Sequence, residues 1–408
     1  MLRPVTVSRA RLGASRTPNT ERADPMGFID LKSQQQRLRP LLEERLTAVL
    51  DHGQYILGPE VEQLETTLAR YVGTRHAVGC ASGTDALLLL LMALDVGPGH
   101  AVLTTPFTFI ATAEVIALLG AVPVFVDVDP ETFNLDPDKV RLALEALKRG
   151  DRSLHPLPQA AMKASVRGLI AVDLFGVPAD YAELESLAEE EGLFVVEDAA
   201  QSFGATMHGV PACRFGHGAA TSFFPAKPLG GYGDGGMCFS NDDAMAEKLR
   251  SLRVHGQGSH RYEHVRLGIN GRLDTLQAAV LLAKWSVFEE ECRRRQEVAA
   301  RYIALLEKVR PDLVVQRVPD GVVSAWAQFS LLAPTPEERD AIRSRLQKAG
   351  IPTAVYYPVP LHLQPAFAHL GYHAGDFPVS EDLARRIVSL PMHPYLEPQV
   401  QEHIVQSL

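Results

Sequence analysis

Lys227 lies in a loop rich in proline and glycine, within the stretch TSFFPAKPLGGYGDGGMCFSND at 221–242. Pro225 and Pro228 bracket the lysine and restrict the shapes that the loop can adopt. A lysine amine held at the end of a strand can form a Schiff base with an aldehyde, the chemistry that anchors pyridoxal 5′-phosphate (PLP). Because most lysines are solvated surface groups, this hypothesis requires partners for the rest of the cofactor.

Candidate partners for the ring of PLP occur in two other segments. Asp198, at the end of the apolar run LFVVED, can pair with the pyridine nitrogen, and Gln201 can reach the ring hydroxyl. The alternative for Asp198 is a purely structural role at the end of a strand, and the alternative for Gln201 is an ordinary polar residue at the start of a helix. Within PFTFIATA we choose Phe109 over Phe107 to pack on the ring face, with core packing as the alternative.

Donors for the phosphate occur where an apolar helix begins. The residues Ser82-Gly83-Thr84-Asp85 supply backbone N–H groups, a hydroxyl and a helix N-terminus. A plain N-cap is the alternative for this segment. Ser222, five residues before the lysine, can add another hydroxyl. The joint occurrence of these candidates, and no single one of them, favours PLP.

Gly231, Gly233 and Gly236 have the GxGxxG spacing of a dinucleotide-binding loop. That motif follows a strand and opens a helix, whereas these glycines precede the strand-like GMCFS. We interpret them as residues that let the backbone turn tightly around the lysine loop, and we predict no NAD site.

Two further kinds of site are considered and set aside. His260 and His264 are four residues apart, a spacing that metals use on helices, but glycines lie just upstream and no further ligands accompany them. We therefore predict a solvated loop and no metal site. No GxSxG motif supports a Ser/His/Asp hydrolase.

The elements that must position these residues alternate between strand and helix. Apolar runs at 101–105, 122–129, 166–173, 193–198 and 236–240 predict strands, and helical spacing predicts helices at 34–52, 60–72, 108–119, 137–149, 180–191 and 242–254. This alternation predicts an α/β fold with a mainly parallel sheet covered on both faces. In such sheets, ligands bind at the carboxyl ends of the strands.

The chain length of 408 residues predicts two domains. We place the boundary near residue 284, with a large domain at 27–284 and a small C-terminal domain at 285–408. The small domain begins with a long amphipathic helix at 285–309 and includes a helix at 336–349 with Thr335 as its cap. Residues 1–26 are predicted to form a disordered extension.

Composition excludes several classes of protein. The formal net charge is -9 and no basic run occurs, which argues against nucleic-acid binding. The longest apolar run, at 86–94, is about half as long as a membrane span requires, and the N-terminus lacks the apolar region of a secretory signal. The separated cysteines Cys80, Cys213, Cys238 and Cys292 suit reduced thiols in the cytoplasm.

Taken together, the motifs resemble a known family. CASGTDAL, PFTFIATA, VVEDAAQSFGA, TSFFPAKPLGGYGDGG and LGINGRLDTLQAA are similar to the marks of the DegT/StrS-type nucleotide-sugar aminotransferases, which are fold-type-I PLP enzymes. The resemblance covers about residues 27–395. It implies a large domain with a mainly parallel seven-stranded sheet and a smaller C-terminal α+β domain.

The resemblance also implies roles for individual residues. Lys227 becomes the lysine that binds PLP covalently, Asp198 the partner of the ring nitrogen, and Gln201 that of the ring hydroxyl. Gly83, Thr84 and Ser222 would hold the phosphate. Asn270 is similar to an asparagine that reaches the phosphate from the partner subunit, which implies a homodimer with shared active sites.

Further segments, among them DHGQYILGPEV, PTAVYYPVPL and LPMHPYL, most resemble enzymes that aminate UDP-2-acetamido-2-deoxy-3-keto-glucuronate. Arg272 could then bind the uronate carboxylate bidentately, with an exposed arginine as the alternative. Tyr356 and Tyr357 are expected to contact substrate. The position of Tyr356 departs from the polar residue expected in these enzymes, and the segment 148–168 is expected to be a surface insertion.

The resulting hypothesis is a cytoplasmic PLP aminotransferase that converts a UDP-linked 3-keto-2-acetamido-hexuronic acid to its 3-amino sugar. L-glutamate is the expected donor, pyridoxamine 5′-phosphate the intermediate form of the cofactor, and surface polysaccharide (O-antigen) the end product. One alternative is amination of a dTDP- or UDP-linked keto-deoxysugar without a carboxylate. An alternative of another class is a non-catalytic, PLP-binding regulatory protein.

Overall fold

The computed structural model describes residues 26–408. The extension predicted for residues 1–26 lies outside the described residues, apart from Met26. The α-helices are α1 (Leu31–His52), α2 (Pro59–Val72), α3 (Gly83–Ala93), α4 (Ala111–Leu118), α5 (Pro137–Arg149), α6 (Tyr181–Glu191), α7 (Asp243–Leu252), α8 (Thr275–Val309), α9 (Pro336–Lys348), α10 (Pro378–Arg386) and α11 (Pro398–Gln406).

The strands form one large sheet and two small ones. They are β1 (His76–Cys80), β2 (His100–Thr104), β3 (Val122–Phe125), β4 (Ser165–Val172), β5 (Phe194–Asp198), β6 (Thr206–Met207), β7 (Val210–Pro211), β8 (Gly218–Ser222), β9 (Gly236–Ser240), β10 (Val314–Val315), β11 (Val322–Val323), β12 (Phe329–Leu332) and β13 (Ile387–Leu390).

The large sheet has seven strands in the order β1-β9-β8-β5-β4-β2-β3. Strands β8, β5, β4, β2 and β3 are parallel to one another, and β9 is antiparallel to both of its neighbours. Strand β1 therefore runs in the same direction as the parallel set. The predicted mainly parallel seven-stranded sheet is confirmed.

Helices cover both faces of this sheet, as the alternating pattern predicts. On one face, α3, α4 and α7 pack on alternate strand residues such as Ile170 and Val196. On the other face, α5 and α6 pack on the intervening residues such as Leu169 and Val195. Since successive side chains of a strand point to opposite faces of the sheet, each strand contributes apolar residues to the cores on both faces.

Capping residues explain where several helices begin and end. The side chain of Asp30 accepts from Ser33 N at the start of α1, and Gly53 ends that helix with a φ of 70°. A left-handed conformation of this kind is favourable for glycine. Thr335 caps α9 by accepting from Glu338 N at 3.2 Å, as predicted.

The C-terminal segment has its own core. Strands β10, β12 and β13 form an antiparallel sheet, and apolar residues of α8, α9 and α11 pack with it, among them Tyr302 and Leu346. Helix α8 runs without interruption through residue 284. The domain division near that residue stays a prediction.

Two local expectations differ from the structure. Strands β1 and β8 were not predicted, because HAVGC and GAATS contain small residues where β-branched or aromatic residues would signal a strand. The segment 148–168 is only partly at the surface. Leu157 is buried in the core beneath α5 and α6, and His155 Nε2 lies 2.8 Å from the carbonyl oxygen of Phe125.

Across residues 26–408, no helix has the length and apolar character needed to cross a membrane. The same residues contain no group of three or more His, Cys, Asp or Glu side chains that could hold a metal ion. The ring of His264 instead lies 3.0 Å from the backbone carbonyl oxygen of His255.

Candidate active site

A cavity of 460 Å³ opens at the carboxyl edge of the seven-stranded sheet. The segments that follow β1, β2, β5 and β8 line it, together with part of the connection between α9 and β13. Among the predicted site residues, those that line this cavity are Gly83, Thr84, Phe109, Asp198, Gln201, Ser222, Lys227, Tyr356 and Tyr357. The fold thus gathers residues that are far apart in the sequence.

Backbone hydrogen bonds fix the conformation of the loop that carries Lys227. Phe223 N donates to Gly235 O at 2.7 Å, and Lys227 N donates to Phe224 O at 2.8 Å. The lysine amine has no hydrogen-bond or ion-pair partner among the described residues. Burial lowers the pKa of Lys227, while attraction to Asp198 opposes this shift. A lowered pKa raises the fraction of neutral amine, which is the form that attacks an aldehyde.

Asp198 ends β5, and its side chain is buried. Thr112 Oγ1 donates to Asp198 Oδ2 at 2.8 Å, and Ala200 N donates to Oδ1 at 3.2 Å. Burial raises the pKa of Asp198, whereas the two hydrogen bonds and the charge of Lys227 lower it. The cavity therefore holds an oriented carboxyl group and an unpaired amine, the pair that the ring nitrogen and aldehyde of PLP require.

Backbone donors meet at another part of the cavity wall. Ser82 Oγ caps α3 by accepting from Asp85 N at 3.0 Å. The N–H groups of Gly83 and Thr84 have no acceptor in the described part of the chain, so they are available to an anion. A Cβ atom at Gly83 would lie 2.7 Å from Ser222 Cβ, which explains why the first residue of α3 is glycine.

The amide of Gln201 is fixed at both ends. Oε1 accepts from Phe175 N at 2.7 Å, and Nε2 donates to the Tyr357 hydroxyl at 3.2 Å, which leaves one hydrogen of Nε2 free. Phe109 is 54% exposed and lines the cavity, whereas Phe107 is fully buried in the core. Contacts of Gln201 and Phe109 with the cofactor stay predictions.

Asn270 and Arg272 do not line this cavity. They line a neighbouring one of 520 Å³, and Ser82 and Asp234 line both. Asn270 is exposed, and the Nε atom of Arg272 is buried without a hydrogen-bond partner in the described chain. Within one chain the structure therefore does not bring these two residues together with Lys227, and their roles stay predictions.

The glycines of the GxGxxG pattern serve close packing. Gly231 and Gly233 approach Gln277, where an added Cβ would lie 2.8 and 2.9 Å from its side chain, and a Cβ at Gly236 would lie 2.2 Å from Ser82 O. None of the three has a positive φ. The interpretation that they permit a tight turn stays a prediction; the close distances show that they let Gln277 and Ser82 approach the loop backbone.

Thr112 and Gln328 are among the residues that line the cavity but were not predicted from the sequence. Thr112 was treated only as part of a predicted helix, although its hydroxyl binds Asp198. Gln328 lines the cavity, and its side chain forms no hydrogen bond with any described residue; its Oε1 atom is buried. The available signal for Gln328 was a carboxamide side chain within the largely apolar run VSAWAQFSLLA.

The residues present suit PLP on structural grounds alone. An unpaired, partly desolvated lysine amine is present with a buried, hydrogen-bonded carboxyl group in the same cavity. Unpaired N–H groups at the start of α3 can receive a phosphate, and an exposed aromatic ring offers a packing surface. These features satisfy the aldehyde, ring nitrogen, phosphate and ring face of the cofactor.

Comparisons with known proteins agree with this chemistry. A sequence model of the DegT/DnrJ/EryC1/StrS aminotransferase family matches residues 37–408. The UDP-2-acetamido-2-deoxy-3-oxo-D-glucuronate aminotransferase of Pseudomonas aeruginosa is 46% identical over 91% of this chain and 96% of its own. A pleiotropic regulatory protein of Geobacillus stearothermophilus is 42% identical, over 93% and 97% of the two chains.

Two further similarities extend this result. The UDP-N-acetyl-3-dehydro-α-D-glucosamine 3-aminotransferase of Acidithiobacillus ferrooxidans is 40% identical, over 93% of this chain and 95% of its own. The crystal structure of a DegT/DnrJ/EryC1/StrS aminotransferase from Brucella abortus superposes with a TM-score of 0.87 at 47% identity, covering 94% of this chain and 98% of that one.

Proposed function

Because the chain belongs to the DegT/DnrJ/EryC1/StrS aminotransferase family, we propose that it aminates a UDP-linked 3-keto-2-acetamido-hexuronic acid at its 3-keto group. Like its family, the chain is a PLP-dependent aminotransferase. The proposed amino donor is L-glutamate, and the proposed product is the 3-amino sugar. We assign the reaction to surface-polysaccharide synthesis of the O-antigen type, in the cytoplasm.

One observation supports the reaction type most directly: the unpaired amine of Lys227 and the carboxyl group of Asp198 line the same cavity. The proposed sugar is supported by the substrate in the name of the P. aeruginosa relative, which is 46% identical over nearly the whole chain. The unpaired Nε of Arg272 supports recognition of an anionic group.

The roles of the residues follow from their positions. When bound, PLP supplies a ring that accepts the electron pair left when the donor loses its α-proton. Lys227 would hold the cofactor through its amine and, once displaced by the donor's amino group, would take that proton at Nζ. Asp198 would keep a proton on the ring nitrogen. The N–H groups of Gly83 and Thr84 and the hydroxyl of Ser222 would bind the phosphate.

Glutamate leaves as 2-oxoglutarate before the ketosugar binds, since both substrates need the same cavity. This order predicts ping-pong kinetics. The amino group, retained on the cofactor when 2-oxoglutarate leaves with an oxygen taken from water, would then replace the keto oxygen of the sugar, and that oxygen would leave as water. Lys227 remains the group that takes and returns the proton in both halves of the cycle.

We also propose a homodimer in which Asn270 and Arg272 serve the site of the partner subunit. Neither residue lines the Lys227 cavity of its own chain. Their cavity borders the exposed apolar side chain of Ile56, which lies between exposed Tyr55 and Leu57. Apolar surface of this kind suits burial against a second copy of the chain.

A second candidate substrate is a ketosugar nucleotide without a carboxylate, such as a dTDP- or UDP-linked keto-deoxysugar. The A. ferrooxidans relative favours it, because the substrate in its name is an N-acetylglucosamine derivative without a uronate group. The product formed from a panel of UDP-ketosugars separates the two candidates by its mass. A 3-amino uronic acid as the preferred product supports our proposal, and preference for the neutral sugar overturns it.

The reaction itself is tested with glutamate alone. We expect the purified, cofactor-loaded protein to release one equivalent of 2-oxoglutarate and to lose the absorbance of its lysine-bound cofactor. Lys227→Ala should abolish both the absorbance and turnover, and Lys227→Arg, which keeps the charge but cannot form the imine, should do the same. A wild-type protein that binds PLP but releases no 2-oxoglutarate would instead be a non-catalytic regulatory protein.

A further inference from the structure

Thr112 Oγ1 donates a 2.8 Å hydrogen bond to Asp198 Oδ2. We propose that Thr112, supported by Thr108, is the positioning residue that holds the Asp198 carboxylate in the orientation and charge state needed by the cofactor ring nitrogen. This inference rests on the proposed role of Asp198. Thr112 acts through the carboxylate and need not touch the reacting atoms.

The direction of each hydrogen bond in this chain of residues follows from proton counting. An ionised carboxylate only accepts, so the single hydroxyl hydrogen of Thr112 goes to Asp198. The 3.1 Å contact between Thr108 Oγ1 and Thr112 Oγ1 must then use the hydrogen of Thr108. The three side chains form a directed series, Thr108 to Thr112 to Asp198, in which each bond strengthens the next.

Few donors stabilise this carboxylate. Apart from Thr112, only the backbone N–H of Ala200 donates to it among the described residues, at a longer distance of 3.2 Å. All three side chains of the series are buried. Removal of the Thr112 hydroxyl therefore leaves one carboxylate oxygen without a protein donor.

Other ionisable groups near Asp198 do not replace this hydroxyl. Lys227 on the cavity side lowers the pKa of Asp198 through its charge, but it donates no hydrogen bond to that carboxylate, and its amine would be taken up by the cofactor. The remaining ionisable neighbours among the described residues supply no cation. Burial and the charge of Asp198 raise the pKa of Tyr357, Tyr181 and Cys213, which therefore stay protonated and neutral, and the buried carboxyls of Asp173 and Glu197 also have a raised pKa. The hydrogen bond from Thr112 thus opposes the effect of burial, which raises the pKa of Asp198.

The position of Thr112 allows a clean test. It is the second residue of α4 and is buried, and valine has a β-branched side chain of similar shape and size. Thr112→Val removes only the hydroxyl, Thr112→Ser keeps the hydroxyl but removes the methyl group, and Thr108→Val removes the supporting donor. The cofactor-loaded full chain is used throughout.

For Thr112→Val we expect normal folding but an acidic limb of the pH–rate profile that moves up by about one to two units, because a hydrogen bond to a charged group is lost. We expect kcat to fall about tenfold to a hundredfold with little change in KM for glutamate. PLP should also bind the apoprotein more weakly. Thr112→Ser should restore these properties, and Thr108→Val should shift the profile in the same direction by a smaller amount.

Two results would overturn the inference. One is a Thr112→Val protein with the wild-type pH profile and PLP affinity. The other is equal damage in Thr112→Ser and Thr112→Val, which would show that keeping the hydroxyl does not preserve function. If wild-type protein fails to react with glutamate, the proposed function fails; the pH titration of bound-cofactor absorbance and the PLP affinity still report on the Thr112–Asp198 bond.

Discussion

The amide of Gln201 donates a 3.2 Å hydrogen bond to the hydroxyl of Tyr357, 156 positions later in the chain. Gln201 follows strand β5 of the large sheet, and Tyr357 lies in the connection that leads to strand β13 of the C-terminal sheet. The bond therefore joins the segment after β5 to the connection between α9 and β13, both of which line the cavity. It also fixes the amide that is predicted to reach the cofactor's ring hydroxyl.

Tyr357→Phe should weaken PLP binding about twofold to tenfold, as expected for one neutral hydrogen bond. The ring of Tyr357 lies 6.2 Å from that of Phe109, and phenylalanine retains this packing. Tyr356→Phe is the matched control, because Tyr356 lines the same cavity and its hydroxyl has no partner among the described residues. Titration of the apoproteins with PLP measures the effect, and equal losses in both variants would contradict it.

Arg272→Ala should discriminate between an acidic and a neutral sugar. If Arg272 binds the uronate carboxylate, kcat/KM for the uronate substrate should fall about tenfold to a hundredfold, whereas a neutral ketosugar should be used nearly as before. Arg272→Lys should recover only part of the loss, because lysine keeps the charge but not the bidentate geometry. Equal losses on both sugars would argue that Arg272 supports the fold.

Gln328→Leu should impair the binding of one substrate, because the free carboxamide of Gln328 would otherwise pair with it. Loss of one such hydrogen bond raises KM about twofold to tenfold. Measuring the glutamate and ketosugar half-reactions separately identifies which substrate is involved. Gln328→Glu retains an acceptor oxygen and should rescue binding if the partner is an ammonium group. Unchanged KM values in both half-reactions would exclude a substrate contact.

Asp173→Asn should alter how stability depends on pH. Burial raises the pKa of Asp173 to about 6, and its carboxyl accepts from Tyr181 Oη at 2.8 Å and Ser202 Oγ at 2.6 Å. Because this folded-state pKa is raised, the stabilisation from the bound proton is complete below the ordinary aspartate pKa near 4 and is lost as pH rises through about 6. Asparagine does not ionise, so it removes this loss.

The measurement is the midpoint of urea unfolding for both proteins at several pH values between roughly 4.5 and 7.5, the range in which Asp173 is expected to titrate. Relative to wild type, the asparagine variant should gain about 2 kcal/mol of unfolding free energy between the two ends of this pH range. A difference between the two proteins that is independent of pH would show that Asp173 does not titrate in this range.

Much of the candidate site could be predicted because its signals are local. The prolines and glycines around Lys227, the SGT segment before an apolar helix and the carboxylate after LFVVED each occupy a few consecutive residues. Helix limits were equally local: α5 spans 137–149 as predicted, since Asp136 accepts from backbone N–H groups at its start and Gly150 ends it. Capping acts within one turn, so sequence alone displays it.

The sequence by itself therefore determined the alternation of strands and helices, the parallel sheet and the residues that follow its strands. The tertiary structure alone decided that Thr112 meets Asp198, that Gln201 meets Tyr357, and that Arg272 opens into a different cavity from Lys227. These contacts depend on the strand order β1-β9-β8-β5-β4-β2-β3. Local backbone preferences do not encode that order; it results from how whole layers pack to bury their apolar faces.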